Sequence, residues 1–311
     1  MRAFIFPGQG SQSVGMGQAL ADASLAARHV FEEVDEALKQ NLFRLMSQGP
    51  EEELRLTENA QPAIMAHSMA VLAMLEKEGN IRLTDAASFV AGHSLGEYSA
   101  LAAADAFDLP TTARLLKKRG QAMQAAVPVG EGGMAAILGL DFETVESIAQ
   151  EAAENDICQA ANDNAPGQVV ISGSLAAIER AVALAKEKGA RRAVMLDVSA
   201  PFHCSLMQPA ADVMAKALQE NRPRQPIVPV FANVSATAET DPTKIMNLLV
   251  EQVTGRVRWR ESIAAMAAAG VEEFVEFGGK VLAPMIKRIA PHCKATSLIA
   301  PADIENFAAS L

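Results

Sequence analysis

The stretch from Ser88 to Ala106 constrains the fold of this chain more than any other part of the sequence. Ser88 to Ala91 is a short, mainly apolar run that predicts a buried strand, and the alanine-rich segment from Gly96 to Ala106 predicts a helix. Between them lies Gly92-His93-Ser94-Leu95-Gly96, a G-x-S-x-G motif in a strand–turn–helix context. Such a turn presents Ser94 beside the unpaired N–H groups of the helix's first turn, which suits a nucleophile and its oxyanion. The alternative is a capping serine in a tight glycine turn, and the flanking elements favour the nucleophile.

Length, charge and cysteine content narrow the class of protein. A chain of 311 residues can bury a large core and forms one large domain or two. The net charge of −10, the single Trp and the single Tyr argue against nucleic-acid binding. The 3 cysteines lack metal-ligand spacing, and no apolar run is long enough for a signal peptide or a membrane span. We therefore expect a cytoplasmic protein that binds neither nucleic acid nor a membrane.

The order of the predicted elements indicates an α/β fold with an insertion. Outside residues 129–198, short apolar strands alternate with helices, which predicts a mostly parallel sheet covered on both faces. We assign residues 1–128 and 199–311 to this large, α/β-hydrolase-like catalytic subdomain. Residues 129–198 follow the order β-α-β-β-α-β, which predicts a ferredoxin-like small subdomain, and their turn-rich borders suit an insertion.

Three further segments carry local predictions. Apolar residues at helical spacing between Leu20 and Leu45 predict a helical hairpin or one long helix. Gln61-Pro62 is expected to open a helix that runs to about Glu78, with Pro62 in its first turn. Gly278-Gly279-Lys280 is expected to open the last major helix, which ends near Lys287-Arg288.

A serine nucleophile needs a base, and the sequence contains 5 histidines. His29 and His67 lie within helical patterns, where surface or core positions are usual. His93 is adjacent to Ser94, and neighbours across a sharp turn point in different directions, so it suits a wall of the site better than the base. His203 lies at a loop–helix junction, where functional residues are often presented. This position makes His203 a candidate base for Ser94, but the pattern alone does not assign it that role.

Two other features each allow a purely structural interpretation as well as a functional one. The loop Pro7-Gly8-Gln9-Gly10-Ser11-Gln12 follows a predicted strand, but it lacks the third glycine of a dinucleotide fingerprint and the lysine of a P-loop. It is better interpreted as backbone presented close to a ligand. The basic run that includes Arg119 is by default a solvated helix face, although Arg119 itself lies toward the less polar side of that helix.

Five motifs, in their order and spacing, resemble those of the malonyl-CoA:acyl carrier protein transacylases. They are Gly8-Gln9-Gly10-Ser11-Gln12, Gly92-His93-Ser94-Leu95-Gly96-Glu97, Arg119-Gly120-Gln121-Ala122-Met123, Pro201-Phe202-His203 and Gly278-Gly279-Lys280. The match covers essentially the whole chain, and five linked motifs are far more specific than any single one. The chain's stand-alone length resembles that of the bacterial enzymes of fatty-acid synthesis.

This resemblance implies a two-step acyl transfer through a covalent intermediate. Ser94 would take the malonyl group from malonyl-CoA as an ester, and His203 would be its general base. The backbone carbonyl of Gln252 would hold the second nitrogen of the histidine. Backbone N–H groups of Gln9 and Leu95 would bind the oxyanion, each contributing roughly 3–4 kcal/mol. The phosphopantetheine thiol of acyl carrier protein would then take the malonyl group for fatty-acid synthesis, without a metal or a cofactor.

The resemblance also implies how the substrate is held. Arg119 would bind the malonyl carboxylate through its bidentate guanidinium fork. Three residues would lie around the substrate: His93, Gln61 and Met123. Phe202 would crowd an α-methyl branch and so favour malonyl over methylmalonyl. Many members of the family carry Ser at position 202 and Gly-Pro-Gly-Lys in place of Gly278-Gly279-Lys280, and these two departures bear on specificity rather than on the chemistry.

Binding of acyl carrier protein poses an electrostatic question. That partner is acidic, as is this chain, so docking requires a local basic patch. The candidate residues are Arg191, Arg192, Lys287 and Arg288. We expect the protein itself to be a monomer.

Two other functions remain open on the sequence. A serine hydrolase with the same turn would leave Arg119 without a role, and it would place an acidic residue between the serine and the histidine in chain order. A non-catalytic subunit that binds acyl carrier protein would not need Ser94, His203 and Arg119 together.

Overall fold

The computed structural model describes residues 1–311, which form two sheets and the helices packed against them. The strands are β1 (Arg2–Phe6), β2 (Phe89–Gly92), β3 (Gly132–Leu138), β4 (Cys158–Ala165), β5 (Gln168–Ser174), β6 (Arg192–Met195), β7 (Val230–Phe231), β8 (Ala238–Glu239), β9 (Glu273–Phe277) and β10 (Lys294–Leu298). The helices are α1 (Gln18–Ala23), α2 (Leu25–Leu38), α3 (Leu42–Gln48), α4 (Glu51–Arg55), α5 (Thr57–Lys77), α6 (Leu83–Ala86), α7 (Leu95–Ala103), α8 (Leu109–Ala125), α9 (Phe142–Ala153), α10 (Leu175–Glu187), α11 (Gln208–Glu220), α12 (Pro242–Thr254), α13 (Trp259–Ala268), α14 (Ala283–Ile289) and α15 (Pro301–Ala309).

The larger sheet has the strand order β10-β9-β1-β2-β7-β8. All neighbours in it are parallel except β8, which pairs antiparallel with β7. Strand β1 shows why the sheet is buried on both sides. Its alternate residues face opposite ways, so Phe4 and Phe6 join one apolar cluster while Ala3 and Ile5 join another. The mostly parallel sheet predicted from the sequence is confirmed.

The smaller sheet is separate and antiparallel, with the strand order β4-β5-β3-β6. It is formed by a continuous part of the chain in which the elements follow the order β3-α9-β4-β5-α10-β6. Helices α9 and α10 cover one face and share an apolar cluster with it that includes Ile137, Ile148 and Ile178. The other face contributes Met134 and Val170 to the cleft between the two sheets.

The structure corrects three local predictions. Helix α5 begins at Thr57, so Pro62 lies inside the helix and not in its first turn. The segment expected as one long helix or a hairpin is divided into α1, α2 and α3, because Lys39 adopts a left-handed conformation that ends α2. The loop Gly278-Gly279-Lys280 precedes α14, which starts only at Ala283. None of the helices combines the length and the apolar character needed to cross a membrane.

Candidate active site

The turn between β2 and α7 places Ser94 at the carboxyl edge of the larger sheet. Ser94 has φ 54° and ψ −111°, a strained backbone conformation for a residue with a side chain. The glycines on either side are required by close packing. A Cβ atom on Gly92 would lie 1.8 Å from the carbonyl oxygen of Gly96, and one on Gly96 would lie 2.3 Å from that of Phe6. The two glycines therefore allow the chain to turn sharply, and the turn presents the hydroxyl of Ser94.

His203 lies beside Ser94 in the loop that precedes α11. The Oγ atom of Ser94 is 2.7 Å from Nε2 of His203. The other ring nitrogen, Nδ1, is 2.9 Å from the carbonyl oxygen of Gln252 and 3.2 Å from that of Gly255. Carbonyl oxygens only accept hydrogen bonds, so Nδ1 carries the proton and Nε2 is free to accept the proton of Ser94. The tautomer needed for a general base is thus held by backbone.

Burial keeps the imidazole of His203 neutral. Desolvation, followed by the nearby positive charge of Arg119, lowers the pKa of His203 to about 3. The ring therefore offers its lone pair throughout the neutral range. The same positive charge opposes formation of an imidazolium, so any anion that neutralises Arg119 makes His203 a stronger base.

Arg119, on α8, is only 1% exposed and points at the nucleophile. Its Nη1 atom donates to Oε1 of Gln61 at 2.8 Å, and its Nη2 atom donates to Oε1 of Gln252 at 2.8 Å and to Oγ of Ser94 at 3.1 Å. Its Nε atom is buried without a partner. These three acceptors are all neutral and none is a carboxylate, and the guanidinium lies 5.7 Å from the centroid of the Tyr98 ring. A buried guanidinium held only by neutral acceptors is prepared for an anionic ligand.

A buried polar network behind the turn holds these groups in place. The side-chain Nε2 of Gln252 donates to the carbonyl oxygen of Ser94 at 3.0 Å and to Glu97 at 2.8 Å. The carboxylate of Glu97 also accepts the backbone N–H of Asn233 at 3.0 Å. Burial raises the pKa of Glu97 to about 7. Gln252 therefore connects the base, the guanidinium and the backbone of the nucleophile.

Asn233 is a part of this network that the sequence did not indicate. Its Oδ1 atom accepts the backbone N–H of Ser94 at 2.8 Å, and its Nδ2 atom donates to the carbonyl oxygen of Gly92 at 2.7 Å. The one available signal is its place just after β7, at the carboxyl edge of a parallel strand, where functional residues collect. Glu97 belongs to the motif Gly92-His93-Ser94-Leu95-Gly96-Glu97, but the sequence assigns it no role.

Two backbone N–H groups beside Ser94 remain without an acceptor. Gln9, in the loop after β1, and Leu95, the first residue of α7, donate to no group in the protein. Both residues line the same cleft as Ser94. The backbone N–H of Ser94 itself is bonded to Asn233 and is not available. The free pair is the arrangement that binds a developing oxyanion.

The cleft has a volume of about 430 Å³ and lies between the two sheets. The remaining residues that the resemblance placed around a substrate all line it: Gln61, His93, Met123 and Phe202. The Nε2 atom of His93 is 2.8 Å from Oδ1 of Asn164, and burial lowers the pKa of His93, so this histidine packs as a neutral wall. The Nε2 atom of Gln61 contacts the sulfur of Met123 at 3.7 Å.

The four basic residues proposed for docking lie outside this cleft, on the surface. Arg191 and Arg192 stand at the start of β6, while Lys287 and Arg288 end α14. Arg288 donates to Gln168 at 2.9 Å and also contacts the carbonyl oxygen of Pro166. Arg192 pairs with Leu138, the last residue of β3. The backbone N–H of Gly139, the next residue, donates to the carbonyl oxygen of Gly167 at 2.9 Å, in the turn between β4 and β5. Arg288 therefore lies at the turn between β4 and β5, and Arg191 and Arg192 lie beside the strand end that contacts the same turn.

Residues 3–282 of the chain match the acyl transferase domain family, and the chain belongs to that family. Among curated proteins, it is 45% identical to the malonyl CoA-acyl carrier protein transacylase of Bacillus subtilis over 305 residues, 97% of this chain and 95% of the relative. The Escherichia coli K12 protein of the same name is 45% identical over 300 residues, 96% of each chain.

Solved structures agree with this assignment. The acyl-carrier-protein-S-malonyltransferase from Bartonella henselae superposes with a TM-score of 0.97 at 54% identity, covering 99% of this chain and 98% of that one. A malonyl-transacylase in complex with a type II polyketide acyl-carrier protein gives a TM-score of 0.96 at 40% identity, covering 100% and 99% of the two chains. The fold and its long-range pairing are therefore those of this family.

Proposed function

We propose that this protein transfers a malonyl group from malonyl-CoA to the phosphopantetheine thiol of acyl carrier protein. The names of its relatives support these two substrates. The observation that carries the proposal is the guanidinium of Arg119, which is buried, has no carboxylate partner and lies 3.1 Å from the hydroxyl of Ser94. A simple ester hydrolase would not need an unpaired buried cation at this position. A diacid bound as a monothioester would supply the missing anion.

The first half-reaction forms an ester on Ser94. His203 Nε2 takes the hydroxyl proton as Oγ attacks the thioester carbonyl, and the tetrahedral oxyanion binds the N–H groups of Gln9 and Leu95. When the C–S bond breaks, the proton on His203 passes to the sulfur. Coenzyme A leaves as a thiol, and the malonyl group remains on Ser94.

The second half-reaction reverses these steps with a different thiol. His203 takes the proton of the phosphopantetheine thiol, and the sulfur attacks the carbonyl of the malonyl-Ser94 ester. The same two N–H groups hold the second oxyanion. As the C–O bond breaks, His203 returns the proton to Oγ of Ser94. The cycle leaves every residue as it began, so we propose that it needs neither a metal nor a cofactor.

The carboxylate of the substrate has a second effect beyond binding. When it pairs with Arg119, it neutralises a charge that helps to depress the pKa of His203. The substrate thereby strengthens its own base, and a neutral acyl group does not. Phe202, which is buried at the wall of the cleft, supports a preference for malonyl over the branched methylmalonyl group.

The organisation of the chain fits this function. We propose that residues 1–128 and 199–311 form an α/β-hydrolase-like catalytic subdomain and that residues 129–198 form a ferredoxin-like one. The active cleft lies between them, and acyl carrier protein would dock on the exposed basic group formed by Arg191, Arg192, Lys287 and Arg288. We place the protein in the cytoplasm, acting as a monomer in fatty-acid synthesis without contact to nucleic acid or membrane.

Mass spectrometry of the intact protein tests the proposal. After incubation with malonyl-CoA, we expect a malonyl adduct on Ser94 that disappears when phosphopantetheine-bearing acyl carrier protein is added. The Ser94→Ala variant should show no adduct. Release of free malonate without transfer would identify a hydrolase instead, and the absence of both adduct and transfer would indicate a subunit that only binds acyl carrier protein.

A further inference from the structure

A second cavity lies on the far side of the loop that carries Gln9. It has a volume of about 470 Å³ and is lined by six residues between Gly10 and Gly17, by the loop Gly278-Gly279-Lys280 and by His67. The mechanism proposed above uses none of its side chains. Gly10 and Val281 line both this cavity and the active cleft, so the two spaces are neighbours.

The cavity is positively charged in a protein whose net charge is −10. Lys280 is its only charged lining residue, and this exposed lysine forms no ion pair. No carboxylate lines the cavity. Two acidic residues that lie close to the lining residues in the chain are already bonded to backbone: Glu276 accepts the N–H groups of Val281, Leu282 and Ala283, and Asp303 accepts those of Ile299 and Ala300. The unpaired charge therefore favours an anion.

Backbone donors accompany this charge. The N–H groups of Gly279 and Lys280 donate to no acceptor in the protein. Both residues line the cavity, and the hydroxyl of Ser13 lines it from the opposite loop without a partner of its own. Successive free N–H groups beside a lysine form the kind of concave site that binds the oxygens of an anion.

His67 adds a constraint on which anion can bind. It is 4% exposed, lines the cavity, and holds the carbonyl oxygen of Gly278 at 3.2 Å from Nδ1. Because that carbonyl only accepts, Nδ1 carries the proton. Burial lowers the pKa of His67 to about 4, so the ring is neutral and Nε2 presents an unpaired lone pair. A ligand must therefore bring a hydrogen-bond donor as well as negative charge.

We infer that this second cavity binds a phosphate group, with Lys280 and the loop N–H groups holding its charged oxygens and His67 accepting its remaining proton. A phosphate meets both requirements. Inorganic phosphate keeps at least one protonated oxygen near neutral pH in either of its ionised forms, and a phosphate monoester, whose second pKa is about 6, keeps one on part of its population. Sulfate has the same shape and charge but no proton, so a neutral His67 disfavours it. The phosphate has two possible sources, free phosphate or the phosphorylated nucleotide of coenzyme A in the adjoining cleft.

Calorimetric titration of the full chain with sodium phosphate and with sodium sulfate tests this inference without any acyl donor. We expect phosphate to bind and sulfate to bind about tenfold or more weakly. Lys280→Gln should weaken phosphate binding about tenfold or more, whereas Lys216→Gln, the same change at an exposed lysine on α11, should not alter it. His67→Gln, which can donate a hydrogen bond, should reduce the preference for phosphate over sulfate.

Equal binding of both anions, or equal effects of the Lys280 and Lys216 variants, would overturn the inference. The source of the phosphate follows from a second comparison. If it belongs to coenzyme A, removal of the 3′-phosphate weakens coenzyme A binding in the wild type but not in Lys280→Gln. If it is free phosphate, the two forms of coenzyme A bind alike and phosphate still binds. Failure of this site would leave the malonyl adduct on Ser94 unaffected, so the two proposals are tested separately.

Discussion

Replacing Arg119 by alanine removes the cation that we assign to the malonyl carboxylate. Three of the five N–H donors of the guanidinium are bonded inside the protein, to Gln61, Gln252 and Ser94, which leaves two for the substrate. A hydrogen bond to a charged group typically contributes about 1.5–3 kcal/mol, so two of them amount to about 3–6 kcal/mol. We therefore expect kcat/KM for malonyl-CoA to fall by roughly two to four orders of magnitude.

The same variant should respond differently to acetyl-CoA. An acetyl group has no carboxylate to lose, and removal of the positive charge eliminates one cause of the low pKa of His203. Acetyl transfer should be unchanged or faster, so the ratio of malonyl to acetyl transfer collapses. Steady-state transfer to acyl carrier protein from the two donors measures this ratio directly.

Two controls separate this effect from misfolding. Arg114→Ala changes an exposed arginine on the same helix and should leave both rates near wild type. Thermal melting reports whether Arg119→Ala destabilises the protein, since the variant leaves the side-chain oxygens of Gln61 and Gln252 without their donor. A folded Arg119→Ala protein that keeps malonyl transfer within tenfold of wild type would refute the assignment of this guanidinium.

Three further predictions concern neighbouring residues. Asn233→Ala leaves the N–H of Ser94 and the carbonyl of Gly92 unpaired, so stability should fall by about 1–3 kcal/mol and kcat by about tenfold to a hundredfold, as melting and kinetics would measure. Phe202→Ser should raise kcat/KM for methylmalonyl-CoA relative to malonyl-CoA by about tenfold or more in a competition assay; an unchanged ratio contradicts the steric argument. Burial raises the pKa of Glu97 from about 4.5 to about 7 in the folded protein. The unfolded chain releases this proton at lower pH than the folded protein does, so the free energy of unfolding falls as the pH rises from about 4.5 to 7. Glu97→Gln should remove this loss, which amounts to at most about 3 kcal/mol, and melting above pH 7 should then favour the variant; equal pH profiles would contradict it.

Local sequence determined much of the framework. The glycines of Gly92-His93-Ser94-Leu95-Gly96 require the sharp turn because nothing larger fits against the adjacent backbone, so the position of Ser94 could be predicted. The elements of residues 129–198 follow the predicted β-α-β-β-α-β order, and Asp141 caps α9 by accepting the N–H of Thr144 at 2.8 Å. Such features depend on neighbours along the chain, and those neighbours are visible in the sequence.

Other local sequence signals were too weak to predict an element or the residue at which it begins. The chain end, with β10 and α15, was not predicted, because a short strand such as Lys294–Leu298 carries little apolar pattern of its own and is fixed by pairing with β9. Gln61-Pro62 suggested a helix start, yet α5 begins earlier at Thr57 because packing of the whole helix outweighs the cost of one internal proline.

The sequence by itself determined the nucleophile turn, the order of strands and helices, and a short set of candidate residues. Only the tertiary structure decided that Arg119, from a basic helix, is buried against Ser94, and that Asn233 and Gln252 come from distant segments to hold both. It also decided that His67 faces a cavity with Lys280. The physical reason is that burial and charge depend on which segments meet across the sheets, and separations of more than a hundred residues leave no periodic trace in the chain.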